Sequence, residues 1–533
     1  MSPSVAPRRF GGALAVGAGI FLSRIAGLMR ERALAHYLAL SPAAGAFRAA
    51  LRIPNLLQNL LGEGVLSASF IPVYARLRAE GRHDEASRVA RAVGSLLALV
   101  ASALALAGVL AARPLVDLFA PGFEGHARDA TVPLVQILFP GVALLVMSAW
   151  CLGVLNSHRR FFLSYVSPVV WNAALIAAAV LAGRRLAGRG ELALDDIARW
   201  VAYGAVIGSA AQFGIQLPAV VRLLGSLRPS LAVRDPGVAA TLRAFVPVLL
   251  GRGSVQLSGY IDQILASYLG AAIVAAISSA QILYLLPVSL FGMAVSAAEL
   301  PEMSSTAGSD AVRAEHLQNR LRGSLRRIVF LVVPSAVAFV AIGRAIVALL
   351  FQTGRFGAAD TTTVWIILSG SAIGLSAGTQ GRLLGSAFYA LGDPRPPLRA
   401  ALVRVAITAG LGWALALPLR ARLGYDPAWG AFGLTASAGV AAWVEFELLR
   451  RWLARRIGTV PVPVRFGLGA LAAAAAAGAL GYLADELVTA AGAPTWLAAL
   501  AAIGAFGATY LVATSLAGVP EAAAFTRRLR RRR

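Results

Sequence analysis

Cysteine is nearly missing from this chain of 533 residues. The single one, Cys151, excludes an internal disulfide and a thiolate metal site within one chain. Histidine is scarce too, and the five present are too scattered for a metal-binding pattern. Charged residues make up only 14% of the chain, 58% is hydrophobic, and the mean hydropathy is +0.72. No long stretch has the composition of a soluble domain, so the chain reads as an all-α polytopic membrane protein. Acidic residues are also in short supply, 25 against 49 basic ones, for a net charge of +24. That excess does not point to nucleic acid, because much of the arginine lies in short loops and tails between apolar spans, where membrane topology accounts for it. The opening Arg8-Arg9-Phe10 and its apolar run imitate a secretory or twin-arginine signal. The run carries Arg24 and lacks a small-x-small cleavage site before a soluble domain, so it is expected to remain as the first span.

What is present is a series of apolar stretches, each long enough to cross about 30 Å of hydrocarbon as a helix. About fourteen are expected, near 11–39, 44–75, 88–119, 130–156, 163–183, 199–224, 238–269, 272–303, 327–352, 362–391, 398–420, 427–453, 463–487 and 494–517. Arginines gather in alternate loops, such as Arg76 to Arg91, Arg159-Arg160, Arg320 to Arg327 and Arg450 to Arg456, and the tail Arg527 to Arg533 joins them. By the positive-inside rule both termini are cytoplasmic. The loop with Arg184, Arg185 and Arg189 fits poorly, although Glu191, Asp195 and Asp196 dilute it. The Asp195-Asp196 pair reads as a solvated turn in preference to a metal or glycosyl-transfer motif. An internal repeat is visible: Ser67-Ala-Ser-Phe-Ile-Pro72 recurs as Ser296-Ala-Ala-Glu-Leu-Pro301, and Arg113-Pro-Leu-Val-Asp-Leu-Phe119 as Arg344-Ala-Ile-Val-Ala-Leu-Leu350, at offsets of 229 and 231 residues. Six spans separate the copies, which predicts two six-helix lobes in parallel pseudo-repeat, 1–230 and 231–460, with two further helices and a basic tail in 461–533.

Four arginines, Arg24, Arg30, Arg48 and Arg52, fall inside the first two spans, with only Glu31 and Glu63 as nearby carboxylates. A guanidinium at the bilayer centre costs roughly 2.5–3.5 kcal/mol on insertion scales, so such residues face a protein interior or a wet cavity. The surplus cation predicts a buried site for an anion. Arg24 and Glu31 share a helix face about 10 Å apart, as do Arg48 and Arg52 at i and i+4. Snorkelling to head groups is the alternative, strongest for Arg48 near the end of its span. Pro54, Gly62 and Gly64 interrupt the same helix, by a cavity-lining break or an ordinary kink. Arg252 lies inside the seventh span, with Asp262 about 15 Å further along the helix, and Arg382 lies deep in the tenth. Arg252 is either a ligand or a counterion for Asp262.

The run Ser23-Arg-Ile-Ala-Gly-Leu-Met-Arg30-Glu31, then Ala46-Phe47, Arg52-Ile-Pro-Asn55, Gly62-Glu-Gly64 and Phe70-Ile-Pro72, resembles the opening of the MurJ/MviN lipid II flippases, members of the multidrug/oligosaccharidyl-lipid/polysaccharide exporter superfamily. Ala120-Pro-Gly-Phe123, Gly153-Val-Leu-Asn-Ser157, Ile261-Asp262, Phe351-Gln-Thr-Gly-Arg-Phe356 and Phe388-Tyr389 are similar to the same family. The resemblance implies a two-lobed carrier, not an enzyme and without a cofactor. It would move lipid II, a polyprenyl-diphosphate-linked peptidoglycan precursor, to the outer leaflet of the bacterial cytoplasmic membrane by alternating access. It also implies that Arg24, Arg30 and Arg52 hold the head group, that Glu31 stands where the family often has Asp, that Arg382 takes a commonly basic position, and that the last two helices form a groove for the polyprenyl tail.

The chain departs from the family at Gly45-Ala46-Phe47, where Asp-Ala-Phe is usual, and at Ala280-Gln281-Ile282-Leu283, where a basic residue precedes the Leu. Acidic residues are missing from the eleventh span, which tells against the sodium site proposed for some members. Arg48 and Arg252 are basic where the family is apolar or small, so Arg252 is the candidate to replace the cation missing at Ile282. The substrate-binding set is then Arg24, Arg30, Arg48, Arg52, Arg252 and Arg382, supported by Glu31, Glu63 and Asp262. The alternatives are a flippase for another polyprenyl-linked saccharide or a related exporter, though a cationic cavity argues against cationic drugs. A glycosyltransferase would need surface carboxylates or a basic catalytic loop, neither of which is evident, and a structural scaffold follows only if the departures abolish transport. Partners are the lipid-linked substrate and membrane lipids, not nucleic acid, and a monomer is expected.

Overall fold

The computed structural model describes residues 10–186, 189–226, 228–304, 309–460 and 464–523, so the basic tail read at Arg527–Arg533 lies outside the described residues. The chain forms two compact units, 1–264 and 265–533. The first is built from α1 (Phe10–Leu38), α2 (Pro42–Leu61), α3 (Glu63–Ala79), α4 (His83–Leu110), α5 (Ala112–Phe119), α6 (Gly125–Ser157), α7 (Phe161–Arg185), α8 (Leu192–Leu224) and most of α9 (Pro236–Ser267). The second holds α10 (Ala271–Pro287), α11 (Ala294–Ser304), α12 (Asp310–Ala341), α13 (Gly343–Phe351), α14 (Ala358–Ala390), α15 (Arg395–Ala414), α16 (Arg420–Leu423), α17 (Pro427–Ile457), α18 (Val464–Ala490) and α19 (Thr495–Leu516).

Among the described residues, twelve helices are long and apolar enough to cross a membrane, counting α2 with α3 as one bent span. Helices α1 and α9, of 29 and 32 residues, have the length to bring the total to the fourteen expected. The element order repeats. A bent span, a span closed by a short helix, and three long spans occur as α2–α3, α4–α5, α6, α7 and α8, and again as α10–α11, α12–α13, α14, α15–α16 and α17. The short closing helices α5 and α13 carry the repeated Arg113 and Arg344 segments. Compactness divides the chain at 264, inside α9, whereas the repeat counts α9 with the second set of spans.

The bends follow from local sequence. Ser41 caps α2, its hydroxyl accepting from the Ala44 N–H at 3.2 Å, and Pro42 occupies the first turn, where a missing N–H is harmless. At Gly62 the backbone is extended between α2 and α3, and a Cβ there would lie 2.2 Å from the Gln58 carbonyl, so only glycine fits. In the second unit the breaks are single π-turns, Val288–Met293 after Pro287 and Leu415–Leu419 around Pro418, where proline cannot donate to the helical ladder.

Helices in lipid gain little from apolar burial against one another, so close packing depends on small residues. Helices α14 and α17 touch backbone to backbone at Gly374 and Gly439, where a Cβ on Gly374 would fall 2.4 Å from the Gly439 Cα. A Gly374→Val variant is therefore expected to lose roughly 1–3 kcal/mol by overpacking, read as a lowered thermal midpoint in detergent. An unchanged midpoint would mean that this contact is slack. Helices α18 and α19 pack on α12 and α13 through Ala474, Ala477, Ala499 and Ala502, and Tyr510 donates to the Phe330 carbonyl at 2.8 Å. At one end of the first unit, Tyr74 meets His158 Nε2 at 2.9 Å and Arg78 donates to the Ser157 carbonyl at 2.7 Å, joining α3 to the end of α6. Burial, with Arg78, Arg160 and His83 adding to it, pulls the His158 imidazole down to about 4, so it is neutral at physiological pH.

Candidate functional site: a paired-arginine cluster and polar cavity

Glu31 is the centre of the ionic cluster in the first unit. It lies on α1 with only 2% of its side chain exposed, and it forms ion pairs with both Arg30 and Arg48. Arg30 Nε donates to Glu31 Oε1 at 3.0 Å, and Arg30 Nη1 reaches the Asn172 amide oxygen on α7, also at 3.0 Å. The Arg30 guanidinium sits 5.1 Å from the centre of the Trp171 ring, a cation–π contact. Helix α7 can present these groups because Pro168 leaves the Ser164 carbonyl without its helical donor, and the Ser167 hydroxyl supplies one at 3.1 Å. The Asn172 side chain in turn donates to the Pro168 carbonyl at 2.9 Å, which fixes its oxygen toward Arg30.

This arrangement settles how Arg48 meets the apolar medium. The side chain is 15% exposed and turned to Glu31, so it does not snorkel. Two cations share one carboxylate, leaving one net positive charge in a low-dielectric setting, where an isolated ion is costly.

One turn along α2, Arg52 joins that helix to α9. Its Nη2 donates to the Gly259 carbonyl at 2.5 Å, its guanidinium lies 5.7 Å from the Tyr260 ring centre, and the Tyr260 hydroxyl donates back to the Arg52 carbonyl at 3.2 Å. The charge of Asp262 also acts on Arg52, so this carboxylate has an interaction outside its own helix. The Arg252 side chain lies outside the described residues. Arg24 is exposed on α1, Arg382 is exposed on α14 in the second unit, and Gly45 is buried in α2.

Beside the cluster is a cavity of about 760 Å³ enclosed by α1, α2, α3, α6, α7 and α8. Arg30 and Glu63 bring the charges, and Asn55, Gln58, Asn59, Ser67, Ser148, Ser164 and Gln212 bring amides and hydroxyls, with Trp171 on one wall. Ser148 accepts from Gln212 at 3.0 Å and from Gln216 at 2.8 Å, and Gln216 also reaches Ser167 at 2.6 Å, so the lining residues Ser148 and Gln212 belong to a linked polar network that continues behind the wall. Such a cavity offers a fork of donors for an anion next to many neutral hydrogen-bonding groups for a polyol or peptide.

Sequence reasoning brought out Arg30, Glu31, Arg48 and Glu63 but missed the neutral wall. Asn55, Gln58, Asn59 and Glu63 fall at i, i+3, i+4 and i+8, a polar stripe readable in an otherwise apolar stretch. It also missed Arg404 in the eleventh span, which pairs with Glu445 on α17 at 3.1 Å. Among the described residues, no group of three or more His, Cys, Asp and Glu side chains could hold a metal ion.

The model of the family described as lipid II flippase MurJ matches residues 34–531. The chain is 32% identical to the lipid II flippase MurJ of Burkholderia cenocepacia over 450 residues, 83% of each chain. It is 31% identical to a probable lipid II flippase MurJ of Rhizobium meliloti, over 89% of this chain and 86% of that one. Among solved structures, a lipid II flippase MurJ in an inward closed conformation has the same fold, with a TM-score of 0.75 at 20% identity over 94% of this chain and 98% of that one. An inward-facing multidrug resistance transporter of the MATE family shares the fold more distantly, with a TM-score of 0.60 at 17% identity over 83% of this chain and 98% of that one. With the family match running over residues 34–531 and relatives above 30% identity covering most of both chains, the chain is a member of the MurJ family of lipid II flippases.

Proposed function

We propose that this multi-pass membrane protein carries lipid II from the inner to the outer leaflet of the bacterial cytoplasmic membrane by alternating access, with no covalent step. The observation that carries the reading is the Arg30–Glu31–Arg48 cluster, whose Arg30 lines a polar cavity, in a chain that matches the MurJ family over residues 34–531. The diphosphate competes with Glu31 for the two guanidiniums, as a charge-assisted, forked acceptor, and the neutral amides of α2 face the sugar and peptide. Arg24, Arg52, Arg252 and Arg382 complete the cation set, with Arg252 replacing the base missing at Ile282. Arginine in alternate loops supports cytoplasmic termini, and the protein acts as a monomer.

The test is complementation of a strain depleted of its own lipid II flippase, followed by flipping of labelled lipid II in proteoliposomes. Restored growth with measurable flipping is expected, and neither would survive if the substrate were a different lipid-linked saccharide. The driving force is a separate expectation. A head group with about two negative charges moving outward from a negative interior gains roughly 2.3 kcal/mol per charge per 100 mV. Collapsing the potential is expected to slow flipping several-fold, and an unchanged rate would exclude the potential as the driver.

A further inference from the structure

A second, smaller cavity of about 200 Å³ lies in the first unit between α4, α6 and α8, with no lining residue in common with the polar cavity. Arg91 and Arg228 provide its charge, and Trp150, Phe213, Met147 and Leu217 its walls. The geometry is built. Trp150 is buried and held by its Nε1 donating to the Ala90 carbonyl at 3.0 Å, so the indole is a fixed wall. Arg91 Nη1 donates to the Ser226 hydroxyl at 2.7 Å, and the Ser230 N–H donates to the Ser95 hydroxyl at 3.0 Å, which ties the segment carrying Arg228 down onto α4.

Neither Arg91 nor Arg228 forms an ion pair with a carboxylate among the described residues, unlike Arg30, Arg48 or Arg404. Two cations over an apolar wall, at the start of one span and the end of another, call for an anion with an apolar body. Further along α4, Leu99 and Val100 are 57% and 43% exposed, so lipid-facing surface adjoins the cavity. The volume is below the roughly 300–1,000 Å³ of sites that enclose a drug-sized ligand, which fits a head group and leaves out a glycopeptide.

We propose that this cavity binds the phosphodiester head group of an anionic glycerophospholipid, with Arg91 and Arg228 as forked donors and the acyl chains running along the exposed face of α4. Basic pockets between membrane helices hold acidic lipid head groups by this combination of fork and apolar wall. The proposal rests on the membrane reading alone and stands or falls apart from the lipid II assignment.

The full chain, purified in non-ionic detergent, is titrated with phosphatidylglycerol or phosphatidylcholine, and bound lipid is counted by native mass spectrometry. The parent is expected to retain phosphatidylglycerol about tenfold better than phosphatidylcholine, and the Arg91→Gln, Arg228→Gln double variant to bind the two alike. Millimolar inorganic phosphate is expected not to displace the lipid. Undiminished phosphatidylglycerol binding in the double variant, equal retention of both lipids by the parent, or displacement by inorganic phosphate would each overturn the assignment, the last in favour of a free phosphate. Should the double variant not give monodisperse protein, Arg228→Gln alone carries the test. Its side chain is exposed, and its loss is expected to weaken retention several-fold, with Arg228→Lys restoring part of it.

Discussion

An Arg52→Ala variant is expected to reach the membrane at normal levels and to lose lipid II flipping by two orders of magnitude or more. Next to the cluster, Arg52 reaches from α2 to α9, through the Gly259 carbonyl and the Tyr260 ring. Truncation removes a charge-assisted hydrogen bond, which contributes roughly 1.5–3 kcal/mol, and releases α2 from α9. Arg52→Lys separates charge from geometry: a compact ammonium keeps the cation but cannot donate as a planar fork. The lysine variant is expected to regain only a small part of the rate. None of the 49 basic residues in this chain is a lysine, which fits a protein whose cations act as forks. Full flipping by the alanine variant would remove Arg52 from the transport machinery, and full flipping by the lysine variant would reduce its role to charge.

The spans could be read from the sequence because the constraint on them is one of length. A helix must cover the hydrocarbon whatever it packs against, so α6, α14 and α17 fall within a few residues of expectation. The break in the second span was equally legible at Gly62, which acts through its own backbone, whereas α2 runs on through Pro54. The partners of the arginines were not. Glu31 and Arg48 are 17 residues apart and meet because the turn between α1 and α2, with Ala39 in a left-handed conformation at φ 49° and Ser41 capping α2, folds the two helices back on each other. Asn172 is 142 residues from Arg30, and no local pattern announces that contact. An excess of buried cation was therefore visible, but not the fact that one carboxylate already holds two of its members. Arg404 illustrates the same limit, for its partner Glu445 is on another helix 41 residues away.

Glu31 is where the stability of the cluster and its transport role can be separated. A Glu31→Gln variant leaves the Arg30 and Arg48 guanidiniums facing each other without their shared counterion, and removing one partner from a buried pair costs roughly 3–5 kcal/mol. The variant is expected to show a sharply lowered thermal midpoint in detergent and little or no flipping. Adding Arg48→Gln brings the cluster back to the single net positive charge of the parent, now carried by Arg30, and leaves two amides able to hydrogen-bond, so most of the lost midpoint is expected to return. Flipping is expected not to return, because the double variant also lacks one of the two cations that receive the diphosphate when it displaces the carboxylate. The two readouts separate the roles: recovery of the midpoint alone identifies Arg48 as a ligand that Glu31 holds in the empty state, whereas recovery of both reduces Arg48 to a counterion. If neither returns, the pair is coupled through further neighbours. Asn172 is then the next residue to alter, since it is the only other side chain hydrogen-bonded to Arg30 among the described residues.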